Sequence, residues 1–339
     1  MHAGNLGLTA RSLVSPGKGI LAADESAPTI EKRFRAVDVP STVENRRAYR
    51  DMLFTTPGIE EHISGVILFD ETIRQCSADG TPFPKALERR GIVPGIKVDA
   101  GAKALAGFPG EKVTEGLDGL RDRIAEYLGL GARFAKWRAV IDIGDRIPTG
   151  YCIDANAHAL ARYAALCQEG GLVPIVEPEV LMDGSHTIER CEEVTTEVLA
   201  RVYAELAAHR VALEGTLLKP NMVVSGKKCA AQAGAAKVAE ATLRTLSRTV
   251  PPAVPGIVFL SGGQTPRQAT ECLNAMNAAG KHPWELSFSY GRALQDPVLK
   301  AWRGKAENVA AAKEAFLLRA KLNGAARRGT YSPDMEPAA

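Results

Sequence analysis

No stretch of this chain stays apolar for the roughly 18 residues that a membrane-spanning helix needs. Neither sign of charge dominates: 42 Lys and Arg face 39 Asp and Glu, and a formal +3 over 339 residues excludes a nucleic-acid or membrane-surface partner. The 32 glycines and 20 prolines follow no period, which excludes collagen-like and mucin-like architectures. The six cysteines, at 76, 152, 167, 191, 229 and 272, form no CxxC pair, and no two histidines sit at metal-ligand spacing. A chain of this length needs no disulfide staples, so the thiols read as reduced and the compartment as cytoplasmic. The opening Met1-His2-Ala3-Gly4-Asn5 offers neither the basic nor the apolar segment of a secretory signal.

What is present is ordinary globular material. The 45% of hydrophobic residues is too much for a disordered chain, and the length suffices for a large core. Short apolar runs of strand length occupy 19–24, 63–69, 93–98, 133–141, 172–177, 216–223, 256–260 and 285–290. Helical stretches lie between them. In 117–128 the apolar positions Leu117, Leu120, Ile124, Tyr127 and Leu128 follow a three-four spacing, and 155–168 is Ala-rich and stops at Gly170-Gly171. Longer helical patterns cover 191–209, 235–250 and 308–326. Eight strand–helix units are the count of a (β/α)8 TIM barrel, an α/β fold; an open doubly wound sheet shares the alternation but not the count. No linker interrupts the pattern, so 1–330 reads as one domain, and 331–339 (YSPDMEPAA), without periodicity, reads as a loose C-terminal tail.

Several of these runs carry ionisable residues near their C-terminal ends: Asp24, Lys97, Lys136, Arg138, Glu177, Glu179 and Lys219. Strand side chains alternate between faces, so Lys136 and Arg138 share one face, as do Glu177 and Glu179. Barrel closure brings such groups to one mouth, the end where barrel enzymes do chemistry. Charges buried there are costly unless paired or functional. Lys219 lies in Leu217-Leu218-Lys219-Pro220, an apolar strand. Desolvation and a cationic neighbour such as Lys136 favour a neutral amine, a nucleophile that forms Schiff bases with carbonyls. Two glycine-containing turns, Ser261-Gly262-Gly263 and Tyr290-Gly291-Arg292, follow the last two strands, where barrels often cradle phosphate in backbone N–H groups.

With those residues in place, the chain resembles the class I, Schiff-base, fructose-1,6-bisphosphate aldolases. The segment VALEGTLLKPN (211–221) is similar to their imine-lysine signature. The other landmarks follow in order: GKGILAADES (17–26), ENRRAYR (44–50), ISGVILFDET (63–72), PGIKVD (94–99), GARFAKWRAV (131–140), GLVPIVEPE (171–179), FLSGGQ (259–264) and FSYGRALQ (288–295). The resemblance implies reversible cleavage of fructose 1,6-bisphosphate into dihydroxyacetone phosphate and glyceraldehyde 3-phosphate. It implies no metal or other cofactor, and a homotetramer. It implies Lys219 as imine former, Glu177 as general acid and base, and Asp24 on the C4 hydroxyl proton. Lys136 supports the carbinolamine and Glu179 the network around Lys219. Ser261, Gly262, Gly291 and Arg292 take the phosphate nearest the imine; Thr29, Arg33 and Lys97 take the far phosphate, and Arg138 binds polar substrate groups. A bisphosphate needs two anion sites, and the basic residues after strands 1 and 3 and those after strands 7 and 8 lie on different parts of a barrel rim.

Three departures from the family pattern stand out. The chain ends in Met335-Glu336-Pro337-Ala338-Ala339 without the terminal Tyr that assists enamine protonation in many members. Ala100 stands where Lys is common, and Thr29 where Ser is frequent. Rival readings explain less. Other Schiff-base aldolases need fewer anion sites, and a scaffold protein has no need of a charged mouth. A metal-dependent aldolase needs a histidine cluster, and the histidines at 2, 62, 158, 186, 209 and 282 form no ligand motif.

Overall fold

The computed structural model describes residues 3–337, so the readings that touch Met1, His2, Ala338 and Ala339 lie outside the described residues. Among the described residues ten strands form: β1 (Gly19–Ala23), β2 (Ile63–Leu68), β3 (Val93–Lys97), β4 (Ala102–Ala104), β5 (Lys112–Thr114), β6 (Phe134–Ile141), β7 (Val173–Val180), β8 (Leu217–Leu218), β9 (Gly256–Phe259) and β10 (Glu285–Tyr290). All but β4 and β5 pair in parallel and close in the order β1-β2-β3-β6-β7-β8-β9-β10, with β10 bonded back to β1. This is the (β/α)8 barrel expected from the count, with no open edge. The helices are α1 (Ala3–Leu13), α2 (Ala27–Arg35), α3 (Val43–Phe54), α4 (Asp70–Ile73), α5 (Phe83–Glu88), α6 (Leu120–Gly129), α7 (Gly150–Glu169), α8 (Ile188–Ala208), α9 (Ala235–Thr249), α10 (Pro266–Ala278), α11 (Arg292–Trp302) and α12 (Val309–Ala326).

The two-residue period of the strands sorts side chains between two compartments. Along β6, Ala135, Trp137, Ala139 and Ile141 face outward into the layer shared with the helices, while Phe134 joins the barrel interior. The interior floor collects Ile20, Ala22, Ile67, Phe134, Val173, Ile175, Leu217 and Val258, and α1 closes it from below with Leu6, Ala10 and Leu13, joined by Val14 just after the helix. Space on that floor is so limited that several strands carry glycine. A Cβ at Gly95 would run into the Phe134 ring, and one at Gly65 would stand 2.5 Å from Leu13. Packing of this density makes the floor a rigid base for whatever stands above it.

Three features depart from the sequence reading. Strand β7 runs to Val180, past the expected end, because Glu177 and Glu179 point inward while Val176 and Val180 still pack outward. The hairpin β4–β5 had no signal, since its strands are three residues long and only Thr114 is buried. The segment read as a loose tail is docked through residue 336: Tyr331 is buried, its N–H donates to Asn274 Oδ1 (2.9 Å) and its hydroxyl donates to Glu336 (3.0 Å). Glu336 in turn pairs with the buried Arg319 of α12 at 2.7 Å. Hydrophobic periodicity is silent about polar anchors of this kind.

Candidate active site

A cavity of about 640 Å³ opens at the C-terminal ends of the barrel strands. Every site residue named from the sequence lines it: Asp24, Thr29, Arg33, Lys97, Lys136, Arg138, Glu177, Glu179, Lys219, Ser261, Gly262, Gly291 and Arg292. The cause is the strand period. Two residues above the floor residue Phe134 comes Lys136, and two above that Arg138. Above Ile175 come Glu177 and Glu179, above Leu217 comes Lys219, and above Ala22 comes Asp24. In the barrel register Arg138 lies opposite Glu177, and Lys97 opposite Lys136.

At the base of the cavity the charges form a connected chain. Lys136 Nζ is 2.7 Å from Asp24 Oδ2 and 3.3 Å from Glu177 Oε2, and Lys219 Nζ is 3.2 Å from Glu177 Oε1. The Glu177 carboxylate therefore lies between two amines, each on its own oxygen. Its Oε2 is buried yet makes no hydrogen bond, which leaves a lone pair in the cavity wall for a reacting proton. Arg138 is ion-paired with Glu179. Lys136, Glu177 and Lys219 are each at most 5% exposed at the side chain, so they act on one another through low dielectric rather than through water.

Burial works against charge at each of these groups, and the partners overcome it. Asp24 is desolvated, but Lys136, Lys219 and Lys97 hold its carboxyl well below the usual range. Glu177 is pulled down in the same way by Lys136, Lys219 and Arg138, against burial and Asp24. Burial pushes Lys136 down, and Asp24, Glu177 and Asp99 more than reverse it, so Lys136 is held firmly as an ammonium. The resting site thus contains two ionised carboxylates and a fixed cation beside Lys219.

Above the base lie the anion-binding elements. Gly262 and Gly263 adopt φ of +52° and +82°, left-handed conformations that suit glycine, and turn the loop after β9 toward the mouth. That loop leads into α10, whose cap Thr265 and Gln268 bond reciprocally, a capping box that fixes the loop's exit. Gly291 is the N-cap of α11, and Arg292 is its first residue, so a helix N-terminus and a guanidinium meet at the cavity. Thr29 sits on the first turn of α2, with its hydroxyl 3.1 Å from that of Ser26. Lys97 is 3.3 Å from Asp99 and stacks at 6.0 Å over the Phe69 ring.

One expectation about placement needs correction. Closure makes β1 and β10 neighbours, which brings Arg33, after the first strand, next to Gly291, after the last, rather than apart from it. Arg33, expected with Lys97 at the far end, reaches within 3.6 Å of the space a Gly291 Cβ would fill. It is also committed to Glu25. Lys97, on β3, is the group that stands away from the glycine loops.

Several cavity residues had not been singled out. Glu25 is a buried hub that pairs with Arg33 and Arg50 and accepts from Gln295 Nε2 at 2.8 Å; Gln295 also donates to Ala22 O (2.7 Å) and accepts from Tyr49 (3.0 Å). The segments GKGILAADES, ENRRAYR and FSYGRALQ contain Glu25, Arg50 and Gln295, so the signal was there without a role. Ser289 lines the cavity with a buried hydroxyl that has no partner, a vacant contact for a substrate oxygen. Lys227 comes within 2.6 Å of a Cβ built on Gly263 and pairs with Asp183 at 2.8 Å, adding a cation beside the loop. Tyr331 does not line the cavity.

Comparisons with known proteins agree on one family. The family model for class-I fructose-bisphosphate aldolase matches residues 5–339. A protein of Xanthomonas campestris named probable fructose-bisphosphate aldolase class 1 is 60% identical over 324 residues, covering 95% of this chain and 97% of that one. Fructose-bisphosphate aldolase 6, cytosolic, of Arabidopsis thaliana is 58% identical over 94% of this chain and 89% of its own. The crystal structure of the Plasmodium falciparum fructose-bisphosphate aldolase, solved with TRAP and a small-molecule inhibitor, superposes with a TM-score of 0.96 at 53% identity, over 97% of this chain and 96% of that one.

Proposed function

The chain belongs to the class-I fructose-bisphosphate aldolase family, and on that premise we propose how its own residues carry the reaction. The enzyme is a carbon–carbon lyase of glycolysis that cleaves fructose 1,6-bisphosphate reversibly into dihydroxyacetone phosphate and glyceraldehyde 3-phosphate. Class-I chemistry runs through a lysine Schiff base. Lys219 attacks the C2 carbonyl, and Glu177, 3.2 Å away, moves the protons that turn the carbinolamine into an imine with loss of water. Lys136, held as an ammonium, stabilises the carbinolamine oxygen as charge develops on it. Asp24, kept ionised, takes the C4 hydroxyl proton. The C3–C4 electron pair then flows into the iminium to give an enamine, and the aldehyde leaves. Glu179 holds Arg138 in place for the substrate's polar groups.

The phosphate nearest the imine falls to Ser261, Gly262, Gly291 and Arg292, and the far phosphate to Lys97 and Thr29. Arg33 stands between these groups. The observation that carries this reading is the Glu177 carboxylate held between Lys136 and Lys219 at the base of a cavity rimmed by glycine loops. Borohydride reduction in the presence of dihydroxyacetone phosphate and EDTA tests it. The expected result is a substrate-sized mass gain on Lys219 with irreversible loss of activity; an adduct on another lysine, or none, overturns the assignment.

A cytoplasmic homotetramer completes the proposal: relatives that carry cytosolic names support the compartment, and the tetramer rests on family membership alone. Sedimentation equilibrium tests the assembly, and a species at the chain mass of 36.1 kDa would contradict it.

A further inference from the structure

Outside the barrel mouth, the fold assembles a donor set that the sequence spacing conceals. His158 stands on α7, and Glu205 and His209 lie one turn apart at the end of α8. The carboxylate oxygen Glu205 Oε2 is 3.2 Å from His158 Nδ1 and 3.6 Å from His209 Nδ1. The two imidazoles face each other at 4.9 Å, nearly edge to face. One ligand atom from each residue falls within 4.8 Å of the other two.

A tetrahedral ion with nitrogen and oxygen ligands at about 2.0–2.2 Å separates those ligands by roughly 3.4 Å along each edge. The two distances to Glu205 already bracket that edge, and the His158 side chain is exposed and so free to turn its ring toward His209, whose ligand atom is already within 4.8 Å. Two imidazoles and one carboxylate are the donor set of a borderline divalent ion, and water supplies the remaining position on the open side. The helices are held in register one turn away, where Arg201 pairs with Asp154 at 3.0 Å; these residues precede Glu205 and His158 by four positions each. At present His209 Nδ1 donates to the Glu205 carbonyl at 2.9 Å, so an incoming ion replaces one proton there.

We propose that His158, Glu205 and His209 form a peripheral site for a divalent transition-metal ion of the Zn²⁺ class, which clamps α7 to α8. None of the three lines the catalytic cavity, so the site lies outside the lyase chemistry and its occupancy acts on stability.

The experiment is equilibrium titration of Zn²⁺ into the metal-stripped full-length enzyme against a chromophoric chelator, paired with thermal melts. The expected result is one ion per chain and a melting temperature raised by a few degrees. His158→Ala and His209→Ala should weaken binding by more than the roughly 10- to 100-fold that losing a mere supporting partner costs. Aldol cleavage by the His158→Ala enzyme should stay at the wild-type rate. Binding that survives both substitutions places the ion elsewhere, at Cys76 or Cys229 for example, and overturns the proposal; so does the absence of stoichiometric binding, which leaves only a histidine–carboxylate ion pair. Carbethoxylation of the unsubstituted enzyme, mapped by mass spectrometry, gives a second readout independent of variant folding. Zn²⁺ should protect His158 and His209, and unprotected modification of both contradicts the site.

Discussion

The floor and the mouth of this barrel are built on the same inward-facing positions of the same strands, yet they are opposite materials. At the floor those positions hold Ile20, Phe134, Ile175 and Leu217; one strand period or two further along they hold Ala22 and Asp24, Lys136, Glu177 and Lys219. The floor is stabilised by burial of apolar surface, at about 25 cal/mol per Å², and loses stability when atoms are added to it. The mouth is stabilised only as a set: each charge is desolvated, and removing one partner strands another. The floor therefore holds the mouth's charges at fixed separations, and the mouth converts that rigidity into chemistry.

Substitutions at the two levels should separate cleanly. The largest effect belongs to Lys219→Met, which removes the nucleophile. The cleavage rate should fall by at least about 10⁴-fold while the far-UV spectrum and the melt stay cooperative. Substantial residual turnover would move the imine to another lysine.

The pH dependence of stability should differ in shape between the levels. Asp24 and Glu177 have folded pKa values below their unfolded ones. Their stabilisation is complete above the ordinary carboxylate range of about 4 and is lost as pH falls through the depressed folded values. Lys136 is raised, so its contribution is complete below the ordinary lysine value of about 10.4 and is lost as pH climbs through its folded value. Asp24→Asn should flatten the acid limb of the unfolding free energy measured against pH. A floor substitution should displace the whole curve without changing its form, and an unaltered acid limb in Asp24→Asn would break the distinction.

At the floor, Gly95→Ala puts a methyl group against the Phe134 ring and should destabilise by about 1–3 kcal/mol in denaturant melts, with KM unchanged. At the rim, Ser289→Ala should be the mildest change. Losing one contact to substrate raises KM roughly 2- to 10-fold, the equivalent of about 0.5–1.5 kcal/mol, with kcat and stability near wild type.

The same comparison explains what the sequence disclosed. The barrel was legible because each strand is an apolar run separated from the next by room for a helix. The mouth was legible because charges interrupt those runs: Lys219 after Leu217-Leu218 and Glu177 after Val173–Val176 have no place in a purely packed strand. What stayed hidden depends on contacts between distant parts of the chain. Glu25, Arg50 and Gln295 meet across 25 and 270 positions, and no local pattern relates them. His158 meets Glu205 across 47 positions, so the cluster on α7 and α8 was invisible to a search for ligand spacing. The placement of Arg33 beside Gly291 follows from closure itself, which joins the first strand to the last and cannot be read along a line.

The most direct test of the account uses two residues that share strand β6 and one face, two positions apart. Phe134→Ala and Lys136→Met should be compared for unfolding free energy and for kcat under conditions where each is folded. Phe134→Ala should lose about 3–5 kcal/mol of stability with kcat close to wild type. Lys136→Met should lose cleavage activity by roughly 10²-fold or more while remaining folded. If Phe134→Ala instead abolishes turnover in the folded enzyme, or Lys136→Met leaves kcat intact, the division of the barrel into a packing floor and a chemical mouth is wrong.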